Sequence, residues 1–304
     1  MGMPLRKKIY IALGAIIFII VVAFGSFVWW EFLARRVSPP IVPTTPPVSP
    51  SPVPPTTTPP FSPSPTPPTT TPPVDSPLAV SIAQRLEVPW SLDFLPDGSM
   101  IFTERPGRIR LFDARQGLVT QPLLTITDVA AVGEGGLLGI AVHPDFSANH
   151  FIYVYYTYRT SDGLANQVVR FRLEGRSLLD RKVIISSIPG ASIHDGGRLK
   201  FGPDKLLYIT AGDASVADRA QDLNSLSGKI LRLRDDGSIP PNNPFSGSLA
   251  PGPWVYSFGH RNPEGLAWDN QGRLWATEHG SSATDELNLI EPGKNYGWPV
   301  IRGD

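Results

Sequence analysis

The sequence contains no cysteine, and its charges cancel. Among its 304 residues, 27 Lys and Arg balance 27 Asp and Glu, so the formal net charge at pH 7 is zero. Without cysteine, no disulfide can brace a folded domain. A neutral chain also lacks the overall basic charge that is typical of proteins that bind nucleic acid. We therefore expect a fold without covalent cross-links and no nucleic-acid partner.

A long apolar run lies near the amino terminus. Residues 9–30 contain no charged side chain, and about 20 apolar residues suffice for a helix to cross a bilayer. Arg6, Lys7 and Lys8 precede the run, and positive charge on a short leading segment favours a cytoplasmic start. We predict a transmembrane anchor within residues 1–36, with the rest of the chain extracytoplasmic, at the cell surface or in the periplasm. The alternative is a cleaved signal peptide, although the run is long for one.

A change in composition follows the apolar run. Residues 37–77 consist almost entirely of Pro, Thr, Ser and Val. Such a segment has too little apolar bulk to offset the entropy lost on ordering, and proline biases it toward extended polyproline II conformations. The composition predicts a disordered linker that holds the remaining domain away from the membrane.

The remaining residues, 78–304, repeat a strand–turn–strand phrase four times. The phrases begin near Trp90, Gly139, Gly197 and Gly265, at intervals of roughly 50 to 70 residues, which suits the blades of a β-propeller. Each blade is a small sheet that buries its faces by stacking on its neighbours. A β-sandwich is the alternative, but a sandwich requires no repeated phrase. The repeats therefore favour an all-β propeller.

The third repeat carries the strongest candidate for catalysis. The stretch "SIHDGGRLKFGPDKLLYITAGDA" places His194 before one predicted strand and Asp213 after the next. Antiparallel pairing brings those two positions together. Histidine can act as a general base near neutral pH, and a carboxylate on one ring nitrogen fixes the tautomer. In the alternative interpretation, His194 caps a turn and Asp213 ends a strand, and the pattern alone leaves both possibilities open.

Other polar residues precede the predicted first strands of neighbouring blades. Arg261 and Asn262 lie in "GHRNPEGLAW", and arginine binds planar carboxylates through its forked guanidinium. Alternatively, Arg261 ties blades together by pairing with a carboxylate. Glu134 lies among glycines that permit close approach to a flat ligand, or that form a tight turn. His260 either stacks at the mouth of the central channel of the propeller or packs in the interior.

The fourth repeat contains a glycine turn with several acids. Backbone carbonyls at such a turn can ligate Ca²⁺, which takes oxygen ligands. Alternatively, the acids Asp285 and Glu286 only cap the turn. The polar or turn-forming residues of the stretch "TEHGSSATDELNLI" that we consider are Glu278, His279, Gly280, Ser281, Asp285 and Glu286.

Seven blocks in order resemble the soluble PQQ-dependent glucose/sorbosone dehydrogenase family of aldose sugar dehydrogenases, in which PQQ is pyrroloquinoline quinone. The resemblance spans residues 84–302. It implies a six-bladed β-propeller, of which about four blades are present, so that the chain is expected to be incomplete at its carboxyl end. The blocks are "PWSLDFLPDG", "GEGGLLGIAVHPDF", "HDGGRLKFGPDKLLYITAGD", "AQDLNSLSGKILRL", "DGSIPPNNPF", "GHRNPEGLAW" and "EHG…DELNLI…GKNYGWP".

The resemblance implies roles for matching residues. His194 corresponds to the base that removes the proton of the sugar C1 hydroxyl, and Asp213 to its supporting carboxylate. Arg261 and Asn262 correspond to residues that contact the quinone.

The resemblance also implies a cofactor pocket with a metal. Glu134 and His279 fall at positions close to the cofactor. The backbone carbonyls of Gly280 and Ser281 correspond to those that hold Ca²⁺, although Ser281 stands where the family usually has proline.

The resulting expectation is a membrane-anchored quinoprotein. It would oxidise an aldose at C1 to a lactone and pass electrons from PQQ to an external acceptor. The family supplies a Lys and further Arg residues to the quinone from later blades, so we expect the 304-residue chain alone to be inactive. The alternatives are a non-catalytic propeller that binds a glycan or protein, and a Ca²⁺-dependent sugar lactonase.

Overall fold

The computed structural model describes residues 79–248 and 252–302. The predicted anchor (1–36) and linker (37–77) lie outside these residues. Within the described residues, none of the helices has the length and apolar character needed to cross a membrane. The helices there are short: α1 (Phe146–Asn149) and two 3₁₀ turns at Ala217–Ala220 and Gly252–Trp254. The rest is strand and loop, as the predicted all-β class requires.

Four antiparallel sheets follow one another along the chain, and we call them blades 1 to 4. Blade 1 contains β1 (Pro89–Phe94), β2 (Met100–Glu104), β3 (Arg108–Asp113), β4 (Gly117–Leu118) and β5 (Leu124–Thr125). Blade 2 contains β6 (Leu137–Val142), β7 (Phe151–Thr160), β8 (Gly163–Glu174) and β9 (Ser177–Pro189). Blade 3 contains β10 (Leu199–Phe201), β11 (Leu207–Ala211), β12 (Lys229–Leu233) and β13 (Val255–Phe258). Blade 4 contains β14 (Pro263–Trp268), β15 (Leu274–Glu278) and β16 (Glu286–Ile290).

The turns between the first two strands of the blades use aspartate in the same way. Asp97 accepts a hydrogen bond at 2.9 Å from the backbone N–H two residues later. Asp204 does so at 3.1 Å, and Asp269 at 2.9 Å. Aspartate side chains stabilise reversals by such bonds. The repeated strand–turn–strand phrases therefore form the first hairpin of blades 1, 3 and 4, as predicted.

Alternating side chains of the central strands enter different cores. In β11, Leu207, Ile209 and Ala211 pack toward blade 2, whereas Tyr208 packs toward blade 4. Because successive side chains of a strand point to opposite faces, each blade buries both faces between its neighbours. This two-sided burial explains why the sequence "LLYITA" is almost continuously apolar. The blades are thus stacked face to face, as in a propeller.

The first strands of successive blades lie against one another. The loops that precede them meet at one end of the stack: the His194 backbone N–H donates to Glu134 at 2.9 Å, and Gly196 donates to Asn262 at 2.9 Å. The second strand of each blade ends at this same end of the stack, because it runs antiparallel to the first strand of its blade. The described residues thus contain four blades of a propeller, and the six-bladed ring stays a prediction.

Candidate active site

His194 and Asp213 are in contact at this end of blade 3. His194 precedes β10 and Asp213 follows β11, and Nδ1 of the histidine lies 2.8 Å from Oδ1 of the aspartate. The side chain of His194 is 13% exposed, whereas that of Asp213 is 2% exposed. The structure brings the two together as the hairpin argument predicts. The role of His194 as a base stays a prediction.

The carboxylate of Asp213 is held from three sides. Besides His194, Oδ1 accepts the backbone N–H of Ser215 at 2.8 Å, and Oδ2 accepts the indole N–H of Trp298 at 2.8 Å. An ionised carboxylate only accepts hydrogen bonds, so it places the imidazole proton on Nδ1. Among the described residues, none donates to Nε2 of His194. That nitrogen is therefore an acceptor open to a ligand.

The backbone of the His194 loop is also fixed. His194 adopts a positive φ of 63°, which is uncommon for a residue with a side chain. Its carbonyl accepts the N–H of Ala214 at 3.1 Å. A Cβ atom on Gly212 would collide with the same carbonyl, so the position requires glycine. The loop and the hairpin end are locked against each other.

Arg261 and Asn262 connect blade 4 to this loop. The carbonyl of Arg261 accepts the N–H of Asp213 at 2.7 Å, and Oδ1 of Asn262 accepts the N–H of Gly196 at 2.9 Å. The guanidinium of Arg261 donates to the carbonyl of His279 at 3.2 Å and makes no ion pair with another described residue. Among the described residues, the side chain of Arg261 therefore does not join blades by pairing with a carboxylate. The backbone of Arg261 makes the connection instead.

His260 packs in the interior and does not line the mouth. Its ring is fully buried and stacks on Tyr296 with centroids 4.6 Å apart. Nδ1 lies 2.8 Å from Oε2 of Glu278, and Nε2 lies 2.9 Å from Oγ of Ser257. Oε1 of Glu278 accepts the backbone N–H of Arg261. Both oxygens of Glu278 are therefore engaged by the protein.

The turn after β15 is more open. The N–H of Gly280 donates to Oδ1 of Asp285 at 3.0 Å, so Asp285 does cap the turn. His279 is 56% exposed, and its Nδ1 lies 3.7 Å from the same oxygen. The carbonyls of Gly280 and Ser281 accept no hydrogen bond from the described residues. Residues 79–248 and 252–302 contain no cluster of three or more His, Cys, Asp or Glu that could hold a metal ion.

A cavity of about 320 Å³ opens beside the His194 loop. Its ionisable lining residues are Arg105, Glu134, Asp195, Glu264 and His279. Burial raises the pKa of the Glu264 carboxyl. The structure thus brings Glu134 and His279 to one cavity, and their role in binding a cofactor stays a prediction.

Sequence reasoning missed Asp195 in that cavity. Asp195 is 2% exposed, and burial raises its pKa to about 6. Oδ1 accepts Asn166 at 2.8 Å and the N–H of Ala191 at 3.2 Å, whereas Oδ2 is buried without a partner. A buried polar atom without a partner is rare and points to a bound group or water. The "HD" pair was visible in the sequence, but nothing in it distinguishes Asp195 from a turn residue.

Trp298 is the second residue that sequence reasoning missed. It lies in the block "GKNYGWP", eighty-five residues from Asp213, whose carboxylate it contacts. The guanidiniums of Arg261 and Arg302 lie 5.5 Å and 5.6 Å from its ring centre. A half-buried tryptophan needs an acceptor for its N–H, but the sequence does not show which acceptor it finds.

Comparison with known proteins agrees with this geometry. The family model "Glucose / Sorbosone dehydrogenase" matches residues 86–304, and the chain belongs to that family. Aldose sugar dehydrogenase YliI of Escherichia coli is 39% identical over 72% of this chain, and quinoprotein glucose dehydrogenase B of Acinetobacter calcoaceticus is 35% identical over 73%. The chain spans 61% and 52% of the length of these two relatives, respectively.

A solved structure gives the same result in three dimensions. The PQQ-bound aldose sugar dehydrogenase of Streptomyces coelicolor is 42% identical and superposes with a TM-score of 0.68. The match covers 74% of this chain and 66% of that one. The membership of the family predicted from the seven sequence blocks is thus confirmed.

Proposed function

We propose that this protein is a PQQ-dependent aldose sugar dehydrogenase. The observation that carries the proposal is the His194–Asp213 pair, in which Nδ1 is held by a buried carboxylate and Nε2 is left as an open acceptor. The relatives named above are sugar dehydrogenases, and one of them is described as PQQ-bound. The substrate class and cofactor are inferred for this chain from that family membership together with the pair.

His194 performs the proton transfer in this proposal. Its Nε2 accepts the proton of the sugar C1 hydroxyl, and PQQ, when bound, would supply the acceptor for the C1 hydride. Asp213 stabilises the imidazolium that results, because a carboxylate beside a protonated ring is favourable. A positioned general base typically contributes about 10²–10⁴-fold in rate. Oxidation at C1 of a cyclic aldose gives a lactone as product.

The residues at the mouth fit a flat anionic cofactor. The guanidiniums of Arg261 and Arg302 both lie close to the indole ring of Trp298. Two cations beside an aromatic plane suit a planar polycarboxylate, because arginine both stacks and binds carboxylates. The adjacent cavity is lined by Glu134, Asp195 and His279. These residues would bind and orient PQQ.

The turn after β15 would hold a calcium ion through its backbone. The carbonyls of Gly280 and Ser281 would supply oxygens, and hard cations such as Ca²⁺ take oxygen ligands. Glu278 would not be a ligand, because His260 and the Arg261 N–H occupy both of its oxygens. The ion would add positive charge beside the cofactor.

The remaining expectations complete the proposal. We infer a six-bladed ring that includes the four blades described here. We also infer a domain (78–304) held outside the cytoplasm by the anchor (1–36) and linker (37–77), with an external acceptor reoxidising the cofactor. Fractionation of cells that express the protein with a tag at its carboxyl end tests the anchor: recovery in the cytoplasmic fraction contradicts it.

The test of the function compares two histidine variants. The protein with its complete ring is assayed with PQQ, Ca²⁺ and an aldose, with a redox dye as acceptor. We expect His194→Gln to lower kcat by about 10²–10⁴-fold while PQQ binding, followed by its absorbance, is retained. His150→Gln, at a turn in blade 2, is the matched control and keeps its turnover. Turnover in His194→Gln equal to the control contradicts the base assignment, and PQQ binding without turnover in the unaltered protein indicates a non-catalytic binding module.

A further inference from the structure

A second histidine–carboxylate pair lies behind the candidate base. His260 and Glu278 belong to blade 4, and their side chains are 0% and 4% exposed. His260 lines no cavity beside the candidate base, and Glu278 only borders the small pocket next to Arg261 and Trp298. All four of their side-chain polar atoms are bonded: to each other, to Ser257 and to the backbone N–H of Arg261. Buried polar groups that are fully bonded in this way rigidify their surroundings.

The pair is connected to the base through the backbone of one residue. Glu278 accepts the N–H of Arg261, and the carbonyl of Arg261 accepts the N–H of Asp213 at 2.7 Å. Asp213 in turn holds Nδ1 of His194 at 2.8 Å. A second tie runs beside the first, because the N–H of His279 donates to the carbonyl of Asn262 at 3.1 Å. Glu278 thus fixes the segment on which the backbone of Asp213 rests.

We propose that Glu278 and His260 are positioning residues for the His194–Asp213 pair, acting through the backbone of Arg261. The proposal rests on the proposed function for its kinetic consequence, but its structural consequence does not. Losing the Glu278 acceptor releases the Arg261 N–H, loosens the Arg261 carbonyl and lets the Asp213 carboxylate drift from Nδ1 of His194.

The hydrogen-bond pattern predicts which substitution is harmless. With Glu278, the imidazole of His260 carries its proton on Nδ1, and Nε2 accepts the hydroxyl of Ser257. In Glu278→Gln, the amide NH₂ donates to Nδ1 of the other tautomer, and the amide oxygen still accepts the Arg261 N–H. Nε2–H then donates to Ser257, whose hydroxyl reverses at no steric cost. Every bond is kept. In Glu278→Leu, every hydrogen bond of the side chain at position 278 is lost.

The experiment measures amide hydrogen exchange of Asp213 by NMR, relative to the strand amides of blade 2, without cofactor. We expect Glu278→Leu to raise the exchange of the Asp213 amide by about tenfold, the effect of one weakened hydrogen bond. Glu278→Gln should stay within about threefold of the unaltered protein. In the protein with its complete ring and PQQ, Glu278→Leu should lower kcat by about tenfold with little change in KM.

Glu104→Leu is the matched control. Glu104 ends β2 as Glu278 ends β15, is fully buried, and bonds Arg108 and Arg110 at 2.7 Å and 2.9 Å. It makes no contact with Arg261. Its loss should destabilise the protein without raising the relative exchange of the Asp213 amide. If Glu278→Leu does not fold, Ser257→Ala replaces it and should raise the same exchange by a smaller factor.

Two results overturn the proposal. One is an Asp213 amide that exchanges in Glu278→Leu, or in Ser257→Ala where that replaces it, no faster than in Glu104→Leu. The other is Glu278→Gln exchanging as fast as Glu278→Leu, which would mean that charge and not hydrogen bonding is required. Absence of turnover in the unaltered protein counts against the dehydrogenase function alone, because the exchange measurements need neither cofactor nor substrate.

Discussion

Blades 3 and 4 each contain a histidine before the first strand and a carboxylate at the end of the second. Both pairs are joined through Nδ1 at 2.8 Å. They differ in the other ring nitrogen. Nε2 of His260 is bonded to Ser257 in the interior, whereas Nε2 of His194 has no donor among the described residues and its side chain is 13% exposed.

The difference shows how one arrangement serves two purposes. A carboxylate on Nδ1 fixes the ring and its tautomer in both blades. The role of each pair then depends on whether Nε2 is bonded to a protein hydroxyl or has no partner in the protein. With a hydroxyl, the pair becomes a rigid support; without a partner, it becomes a candidate base. Residue types alone would not separate the two.

Replacing the acid of each pair by its amide should give the largest difference in activity between the two pairs. In Asp213→Asn, the amide donates to Nδ1 of His194 and moves the ring proton to Nε2, which can then no longer accept one. We expect kcat to fall by about 10²–10⁴-fold with KM little changed. The matched change, Glu278→Gln, undergoes the same tautomer switch harmlessly and should stay within about threefold. Steady-state kinetics of both variants tests this expectation. Equal losses of kcat in the two variants would show that the two pairs do not differ in role.

Asp195, which is buried beside the candidate base with no partner for its Oδ2, should make stability depend on pH. Its folded pKa of about 6 lies above the ordinary value of 3.8. The protonated carboxyl therefore favours the folded state, and its contribution is full below pH 3.8 and lost as the pH rises through 6. The free energy of unfolding should fall by about 3 kcal/mol across this window.

The check uses Asp195→Asn, which is neutral at every pH. Denaturant melts between pH 3.5 and about 7 should show the loss in the unaltered protein relative to the variant. A difference between the two that does not change with pH would mean that Asp195 finds a partner in solution.

Trp298 should give a smaller effect on the candidate base. Trp298→Phe removes the N–H that bonds Oδ2 of Asp213 at 2.8 Å. A hydrogen bond to a charged group contributes about 1.5–3 kcal/mol, part of which water replaces, so we expect kcat to fall by about tenfold. The control is Trp254→Phe, which removes an indole bond to the carbonyl of Gly237 at 3.1 Å, in blade 3. A loss of kcat in the control as large as that in Trp298→Phe would point to general destabilisation.

The part of the fold that the sequence predicts is the part encoded locally. The four repeated phrases begin in or next to the first strand of each blade, because alternating apolar residues and turns containing Asp with Gly, Pro or Asn specify a hairpin within a few residues. The approach of Asp213 to His194 is also local, since it needs only the hairpin between β10 and β11. Stacking of both blade faces follows from the continuous apolar strands.

The rest of the site depends on contacts between distant segments. The sequence left open whether His260 stacks at the mouth or packs, because Ser257, Glu278 and Tyr296 must first converge on it. The contact of Trp298 with Asp213 joins residues eighty-five positions apart. That Oδ2 of Asp195 has no hydrogen-bond partner becomes evident only from the residues that surround it in the folded structure. Such packing is set by three-dimensional fit, which periodicity does not encode.

The most direct test of the central claim is the tautomer of the two histidines. Long-range ¹H–¹⁵N NMR correlations distinguish a protonated Nδ1 from a protonated Nε2 in each neutral ring. We expect Nδ1–H for both His194 and His260, with only His194 of the two changing its Nε2 signal when an imidazole-binding ligand such as Zn²⁺ is added. A proton on Nε2 of neutral His194 would rule out His194 as the base, because that nitrogen could not then accept a proton from a sugar.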